Sequence, residues 1–301
     1  MSFDVAIIGF GPAGMSAAIY AKRFGLSTVV FEQGISGGNV ALSPRIENYL
    51  GFSDVSGSEL VSAMENHAKK YVDKFVNEKA VSVSHADGEF EVRTTQGVER
   101  VRAVVISTGT KHRELGVPGE EKLKGRGVSY CATCDGFFFR NKKVAVVGGG
   151  NTAATEAIYL REIGAEVYLI HRRDKLRAEE VYYTRLKEKN VNIIWNTVVK
   201  EILGERKVEG LRLENRVEGS ISELPVDGVF VAIGEEPQNE IPKMLGVELR
   251  ADGYVVVDGN CRTNIRRVYA CGDITGLFNQ VIVAAAQGAL AARAAHEDLQ
   301  E

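Results

Sequence analysis

The sequence predicts an α/β protein of two Rossmann-like nucleotide-binding domains, the second inserted in the first. An apolar run, a glycine turn and a helical stretch occur in that order twice, a Cys-x-x-Cys lies between the two copies, and the C-terminal tail is too short to fold alone. The first copy is Val5-Ala6-Ile7-Ile8 followed by Gly9-Phe10-Gly11-Pro12-Ala13-Gly14. The second is Val144-Ala145-Val146-Val147 followed by Gly148-Gly149-Gly150-Asn151-Thr152-Ala153.

In the first copy residues 17–24 read as a helix, Gly25 as its stop and residues 27–31 as the next strand. Glycine after a helix takes the left-handed conformation at little steric cost. Strand-like segments at 90–94 and 101–106 predict antiparallel or mixed sheet between the two units. The second copy repeats the plan, with a helix at 153–163, a cap at Gly164 and a strand at 166–170. Past Gly234 the expected order is a turn at Asp252-Gly253, strands at 254–257 and 268–270, the turn Cys271-Gly272-Asp273, and an alanine-rich helix at 281–296. This tail is expected to return to the first unit. Residues 1–115 and 245–301 would then form one domain and 116–244 the other, with linkers near 115–120 and 239–245.

A chain of 301 residues, 45% hydrophobic and 26% charged, has the composition of a globular protein with room for two cores. Its net charge of −3 lacks the basic excess a nucleic-acid partner would call for. No apolar run reaches the roughly 18 residues of a membrane span. The first strand starts at Val5 without a basic leader before it, so a cytoplasmic protein with no membrane partner is expected.

The first glycine turn suits a pyrophosphate, because glycine permits close backbone approach and the following helix presents free N–H groups and its positive dipole end. Glu32, at the end of the next strand, can accept from ribose hydroxyls and disfavours a 2′-phosphate, which points to FAD or NAD rather than NADP. Asp273 after Gly272 is a candidate for a ribityl hydroxyl, or simply a turn residue. In the second copy the acid is replaced by His171-Arg172-Arg173-Asp174-Lys175-Leu176-Arg177. Arginines at that place can hold a 2′-phosphate by charge-assisted contacts, so NADP(H) is the expected second ligand.

Four cysteines are too few for a disulfide scaffold, and no second Cys-x-x-Cys exists to complete a zinc site, so no metal is expected. Cys131-Ala132-Thr133-Cys134 can close a small disulfide ring and exchange reversibly, with Asp135 a candidate proton donor. Phe137-Phe138-Phe139-Arg140 beside it reads as core, with a docking patch as the alternative.

These residues, in this order and along essentially the whole chain, resemble the low-molecular-weight thioredoxin reductases of bacteria and archaea. The resemblance rests on Gly9 to Gly14, Gly37-Gly38, Ile46-Glu47-Asn48-Tyr49, Thr108-Gly109-Thr110, Cys131 to Gly136, Gly148 to Ala153, His171 to Arg177, Gly272-Asp273 and Gln280. It implies two three-layer β-β-α domains, one binding FAD and the inserted one NADPH, in a homodimer whose partner is thioredoxin or a similar small dithiol protein. FAD would meet Gly9, Gly11, Pro12, Ala13, Gly14, Glu32, Gln33, Gly38, Asn39, Asn48, Thr108, Gly109, Gly272, Asp273, Gln280 and Val281. NADPH would meet Gly148, Gly150, Asn151, Thr152, Ala153, His171, Arg172, Arg173 and Arg177. Cys134 matches the thiol facing the flavin, Cys131 the thiol that attacks thioredoxin, and Asp135 the acid. In the family the dithiol and the nicotinamide take turns at the flavin through rotation of the inserted domain. The chain departs from the family's pattern at Asn39-Val40, Asn279, Cys271 and Glu235-Glu236. Two other readings stay open, a flavin reductase of another redox protein or with another donor (ferredoxin or a deazaflavin), and a non-catalytic dinucleotide-binding redox sensor.

Overall fold

The structure, a computed structural model, describes residues 2–43, 46 and 48–301, except the side chains of Leu42, Thr133 and Cys134. Glu47 therefore lies outside the described residues. The chain forms two compact units, Met1–Lys111 with Glu236–Glu301, and His112–Glu235.

The first unit opens with β1 (Phe3–Ile8), α1 (Pro12–Arg23) and β2 (Thr28–Phe31). Helix α1 begins earlier than expected, directly on the glycine turn, because Pro12 at its first position has no N–H to leave unpaired. Gly25, with φ of 83°, closes the helix as expected. Next come α2 (Gly57–Ala68), β3 (Lys74–Val76), β4 (Ser82–Ala86), β5 (Glu89–Arg93) and β6 (Val98–Ile106). The sheet runs β3-β2-β1-β6-β5-β4. Its β1, β2, β3 and β6 neighbours are parallel, whereas β4, β5 and β6 pair antiparallel. The sheet is thus mixed, as expected, with the antiparallel strands extending its parallel part. Side chains alternate across it: Val5 and Ile7 face a core with α1, while Ala6 and Ile8 face a second core shared with β4 and β5.

Strand β7 (Thr110–His112) leads into the second unit, which contains α3 (Glu120–Leu123), β8 (Val128–Ser129), α4 (Ala132–Asp135), β9 (Lys143–Gly148), α5 (Asn151–Glu162), β10 (Glu166–Ile170), α6 (Glu180–Glu188) and β11 (Asn192–Ile194). A meander follows, β12 (Thr197–Leu203), β13 (Gly210–Asn215) and β14 (Ile221–Pro225), and then β15 (Gly228–Ala232). The parallel sheet has the order β11-β10-β9-β15-β8. Val144 and Val146 pack towards α5, and Ala145 and Val147 towards the meander, so each unit repeats the expected three-layer plan.

The chain leaves through β16 (Glu235–Pro237), which pairs with β7. The crossings fall earlier than the linkers read from sequence. Residues 115 and 116 are held by the buried Glu120 carboxylate, which accepts their N–H groups at 2.8 and 2.7 Å. Residues 240–245 form a helix, α7 (Glu240–Leu245), whose Ile241 and Leu245 fill the first unit's second core. Strand β17 (Val268–Ala270) joins β6 in parallel, and α8 (Val281–Gln300) ends the fold. The strand expected at 254–257 is not formed. Val255 makes only an isolated bridge to Leu249, and its N–H turns to Ile274 O.

Helix α8 lies against α1 so closely that a Cβ on Gly288 would stand 2.0 Å from Ala13 O and 3.0 Å from Ala17 N. These are main-chain atoms that cannot swing aside. Gly288→Ala is expected to cost about 3 kcal/mol, read as a lowered urea midpoint; an unchanged midpoint would refute this tight contact.

Candidate functional site

At the first glycine turn, a Cβ on Gly9 would lie 2.4 Å from Ser107 O, and one on Gly14 2.1 Å from Gly9 O. Only glycine lets the ends of β1 and β6 and the start of α1 approach this closely. Gly11 is different, with nothing nearer than Gly37 O at 4.0 Å, so the mouth of the turn stays open where the α1 N–H groups point. Ser107, which sequence reasoning passed over, donates from Oγ towards Ile8 O and Gly9 O. Glu32 bends over the turn: Oε2 accepts the Phe10 N–H at 2.7 Å and Oε1 the Gly34 N–H at 3.0 Å. Each oxygen keeps a lone pair for a hydroxyl. Gln33 beside it is exposed.

The Gly272-Asp273 turn reaches the same place, since a Cβ on Gly272 would stand 2.9 Å from Ala13 Cβ. It is held by buried Gln287, whose Oε1 accepts the Gly272 N–H at 2.8 Å. The structure therefore brings Gly9, Gly11, Pro12, Ala13, Gly14, Glu32, Gly272 and Asp273 together. The other expected residues meet in pairs. Asn39 donates to Thr110 Oγ1 at 3.0 Å, and Asn48 to Gln280 Oε1 at 2.9 Å. Thr108 and Gln238 exchange two hydrogen bonds, at 2.8 and 2.6 Å. Gly38 and Gly109 have φ of 56° and 65° with open space where a Cβ would be, and Val281 starts α8. An open glycine mouth, a helix start and a carboxylate over it fit a dinucleotide with a free ribose 2′-hydroxyl, as in FAD.

The second turn repeats these features. A Cβ on Gly148 would come 2.2 Å from Ala232 O, while Gly150 opens onto free space at the start of α5. Asn151 and Glu179 exchange hydrogen bonds of 2.7 and 2.9 Å, Thr152 is exposed and Ala153 is buried. Arg172, Arg173 and Arg177 are exposed, and no ion pair commits their guanidinium groups among the described residues. His171 is placed otherwise. It is buried, with Nδ1 2.9 Å from Gly148 O and Nε2 3.0 Å from Lys175 O. Gly149 O accepts the N–H groups of Arg177 and Ala178 at 2.7 and 3.1 Å. The imidazole thus lies beneath the arginine loop and ties it to the glycine turn, while the arginines face solvent. This donor set fits NADPH, with three free cations for a 2′-phosphate.

Cys131 is 8% exposed and disulfide-bonded; Cys261 and Cys271 are free thiols. Cys134 lies on α4, and its side chain is outside the described residues. Ser129, also unforeseen, is buried and joins Cys131 to Asp135. Its Oγ donates to Asp135 Oδ2 at 2.6 Å and accepts the Cys131 N–H at 3.1 Å. On the other side, the buried Glu156 carboxyl accepts the Ala132 N–H.

The pyridine nucleotide-disulphide oxidoreductase family model matches residues 3–288. The thioredoxin reductase of Listeria monocytogenes is 41% identical over 99% of this chain and 94% of its own. That of Bacillus subtilis is 40% identical over 99% and 96%. The crystal structure of T. acidophilum thioredoxin reductase matches with a TM-score of 0.96 at 39% identity, covering 100% of this chain and 99% of that one. The chain belongs to the thioredoxin reductase family.

In this member of the thioredoxin reductase family, Cys261 and Cys271 are inert. Burial pushes the Cys261 thiol up to about 11 and that of Cys271 well above its ordinary value, so neither is a nucleophile near neutral pH. The phenylalanine run is not simply core. Phe139 is buried edge-on against Phe230, whereas Phe137 and Phe138 are 73% and 67% exposed. The turn of 3₁₀ helix at Gly136–Phe139 points successive side chains to different sides.

Proposed function

We propose that the chain is an NADPH-dependent thioredoxin-disulfide reductase, passing electrons from NADPH through FAD and a Cys131–Cys134 disulfide to oxidised thioredoxin. The observation that carries this reading is the bonded Cys131 held to Asp135 through Ser129, in a chain that also has two open glycine turns. Bound FAD supplies a two-electron carrier between the nicotinamide and the disulfide. The unit of residues 1–111 and 236–301 would hold FAD, and the inserted unit NADPH.

The chain's own residues do the remaining work. Glu32 and the α1 N–H groups would fix the FAD ribose and pyrophosphate, and Arg172, Arg173 and Arg177 would select the dinucleotide that carries a 2′-phosphate on its adenosine ribose. When the disulfide accepts two electrons, one sulfur keeps a negative charge and the other takes a proton. Asp135, aimed by Ser129, is the group that supplies it. Cys131 as thiolate then attacks the thioredoxin disulfide and forms a mixed disulfide. Cys134 attacks Cys131 to close the ring again, and thioredoxin leaves with both sulfurs reduced.

Anaerobic stopped-flow spectra test this directly. NADPH should bleach the flavin, and oxidised thioredoxin should restore its colour. Bleaching without restoration would favour a redox sensor, and no bleaching by NADPH would favour another donor. The exposed Phe137 and Phe138 beside the dithiol provide an apolar contact for thioredoxin. Replacing both with serine is expected to raise KM for thioredoxin about tenfold while flavin reduction stays unchanged; an unaltered KM would remove them from the docking face. The same reading places a homodimer in the cytoplasm. Exposed Leu277 and Phe278 offer it apolar surface, and light scattering would test for twice 32.8 kDa.

A further inference from the structure

Glu156 on α5 is a buried acid to which the reaction above gives no task. It is 7% exposed, its Oε2 has no hydrogen-bond partner among the described residues, and the carboxyl accepts the N–H of Ala132, the amide directly after Cys131. The elements packed on α5 carry titratable groups of their own. Asp135 is on α4, Lys143 on β9, Glu166 and Tyr168 on β10, and Glu180, Tyr182, Tyr183, Arg185, Lys187 and Glu188 on α6; β15 has none. Lys143 and Tyr168 both turn to Glu166, and Asp135 to Ser129. None of these groups acts on Glu156. Burial pushes its carboxyl up to about 8, and only the Ala132 N–H opposes. A charge with one oxygen bare in the core is far more costly than a carboxylic acid there, so the acid form is held at neutral pH.

We propose that Glu156 is a positioning residue for the dithiol, holding the Cys131–Ala132 peptide through one oxygen while the other carries a proton. The inference rests on the dithiol reading above. Loss of the proton sets an uncompensated negative charge in the core against the peptide that follows Cys131, the sulfur that must itself become a thiolate.

The test uses the full flavoprotein with the substitutions Glu156→Gln and Glu156→Leu. Glutamine keeps an uncharged acceptor of the same shape; leucine removes it. The rate of NADPH bleaching and kcat/KM for thioredoxin are followed from about pH 6.5 to about 10. The original protein is expected to lose thioredoxin turnover about tenfold per unit above pH 8. E156Q should keep turnover at pH 7 and lack that extra decline. E156L should be impaired at every pH with bleaching intact. Stability gives a second readout. The folded state keeps a proton that the unfolded chain releases near 4.5, so stability falls as pH rises from 4.5 towards 8, and E156Q should abolish that slope. A decline that persists in E156Q, or an unimpaired E156L, overturns the proposal. Failure of NADPH to bleach the flavin of the original protein would instead sink the parent reading.

Discussion

Cys131→Ser is expected to leave NADPH bleaching of the flavin intact and to lower thioredoxin turnover by about a thousandfold or more. The reasoning is geometric before it is chemical. Cys131 is disulfide-bonded, its N–H is fixed by Ser129, and Asp135 is held by the same hydroxyl. A serine oxygen can occupy that place without forming a mixed disulfide, so only the step that needs sulfur is lost. Glycine turns and arginines are untouched, and hydride delivery should proceed at its ordinary rate. Measuring both half-reactions on one preparation separates the roles. Turnover surviving in C131S would reassign the attack on thioredoxin to another sulfur.

Replacing Arg172, Arg173 and Arg177 together by alanine should raise KM for NADPH about hundredfold and leave KM for NADH unchanged. A charge-assisted hydrogen bond contributes about 1.5–3 kcal/mol, and two such contacts to a 2′-phosphate, taken at the lower end because these guanidinium groups are exposed, convert to about that factor. NADH lacks the phosphate and so loses nothing. Turnover at saturating NADPH should hold, because uniform binding is removed rather than an interaction special to the transition state. The loop should survive, since it is tied down by His171 and by the N–H groups of Arg177 and Ala178 rather than by the guanidinium groups. An equal rise for NADH would show that the arginines hold the loop and not the phosphate.

What the sequence disclosed is what is local. Glycine turns between an apolar strand and a helix, and glycines that stop helices, depend on residues adjacent in the chain and are legible there. Long-range partnership was not legible. Ser129 reads as an ordinary serine until the fold sets its hydroxyl between Cys131 and Asp135. Gln287 and Glu156 are polar residues in helical stretches that reveal their tasks only through Gly272 and Ala132. The same holds for α7, read as a linker because its apolar residues find their core on β4 and β5, far away in sequence. Even His171, inside a recognisable stretch, turned from its expected place because the ring fills the space that Gly149 leaves; a Cβ there would sit 2.1 Å from it.

The close approach of α8 to α1 bears on biosynthesis. On the ribosome, Gly288 emerges only after the whole inserted segment, so the N-terminal Rossmann layer waits with the α1 flank uncovered until α8 has followed. The inserted segment, His112–Glu235, is contiguous and can collapse while the nascent polypeptide is still growing. Holdase chaperones would find their best target in that waiting first half, and pulse-chase proteolysis should detect a resistant central fragment before the ends become protected.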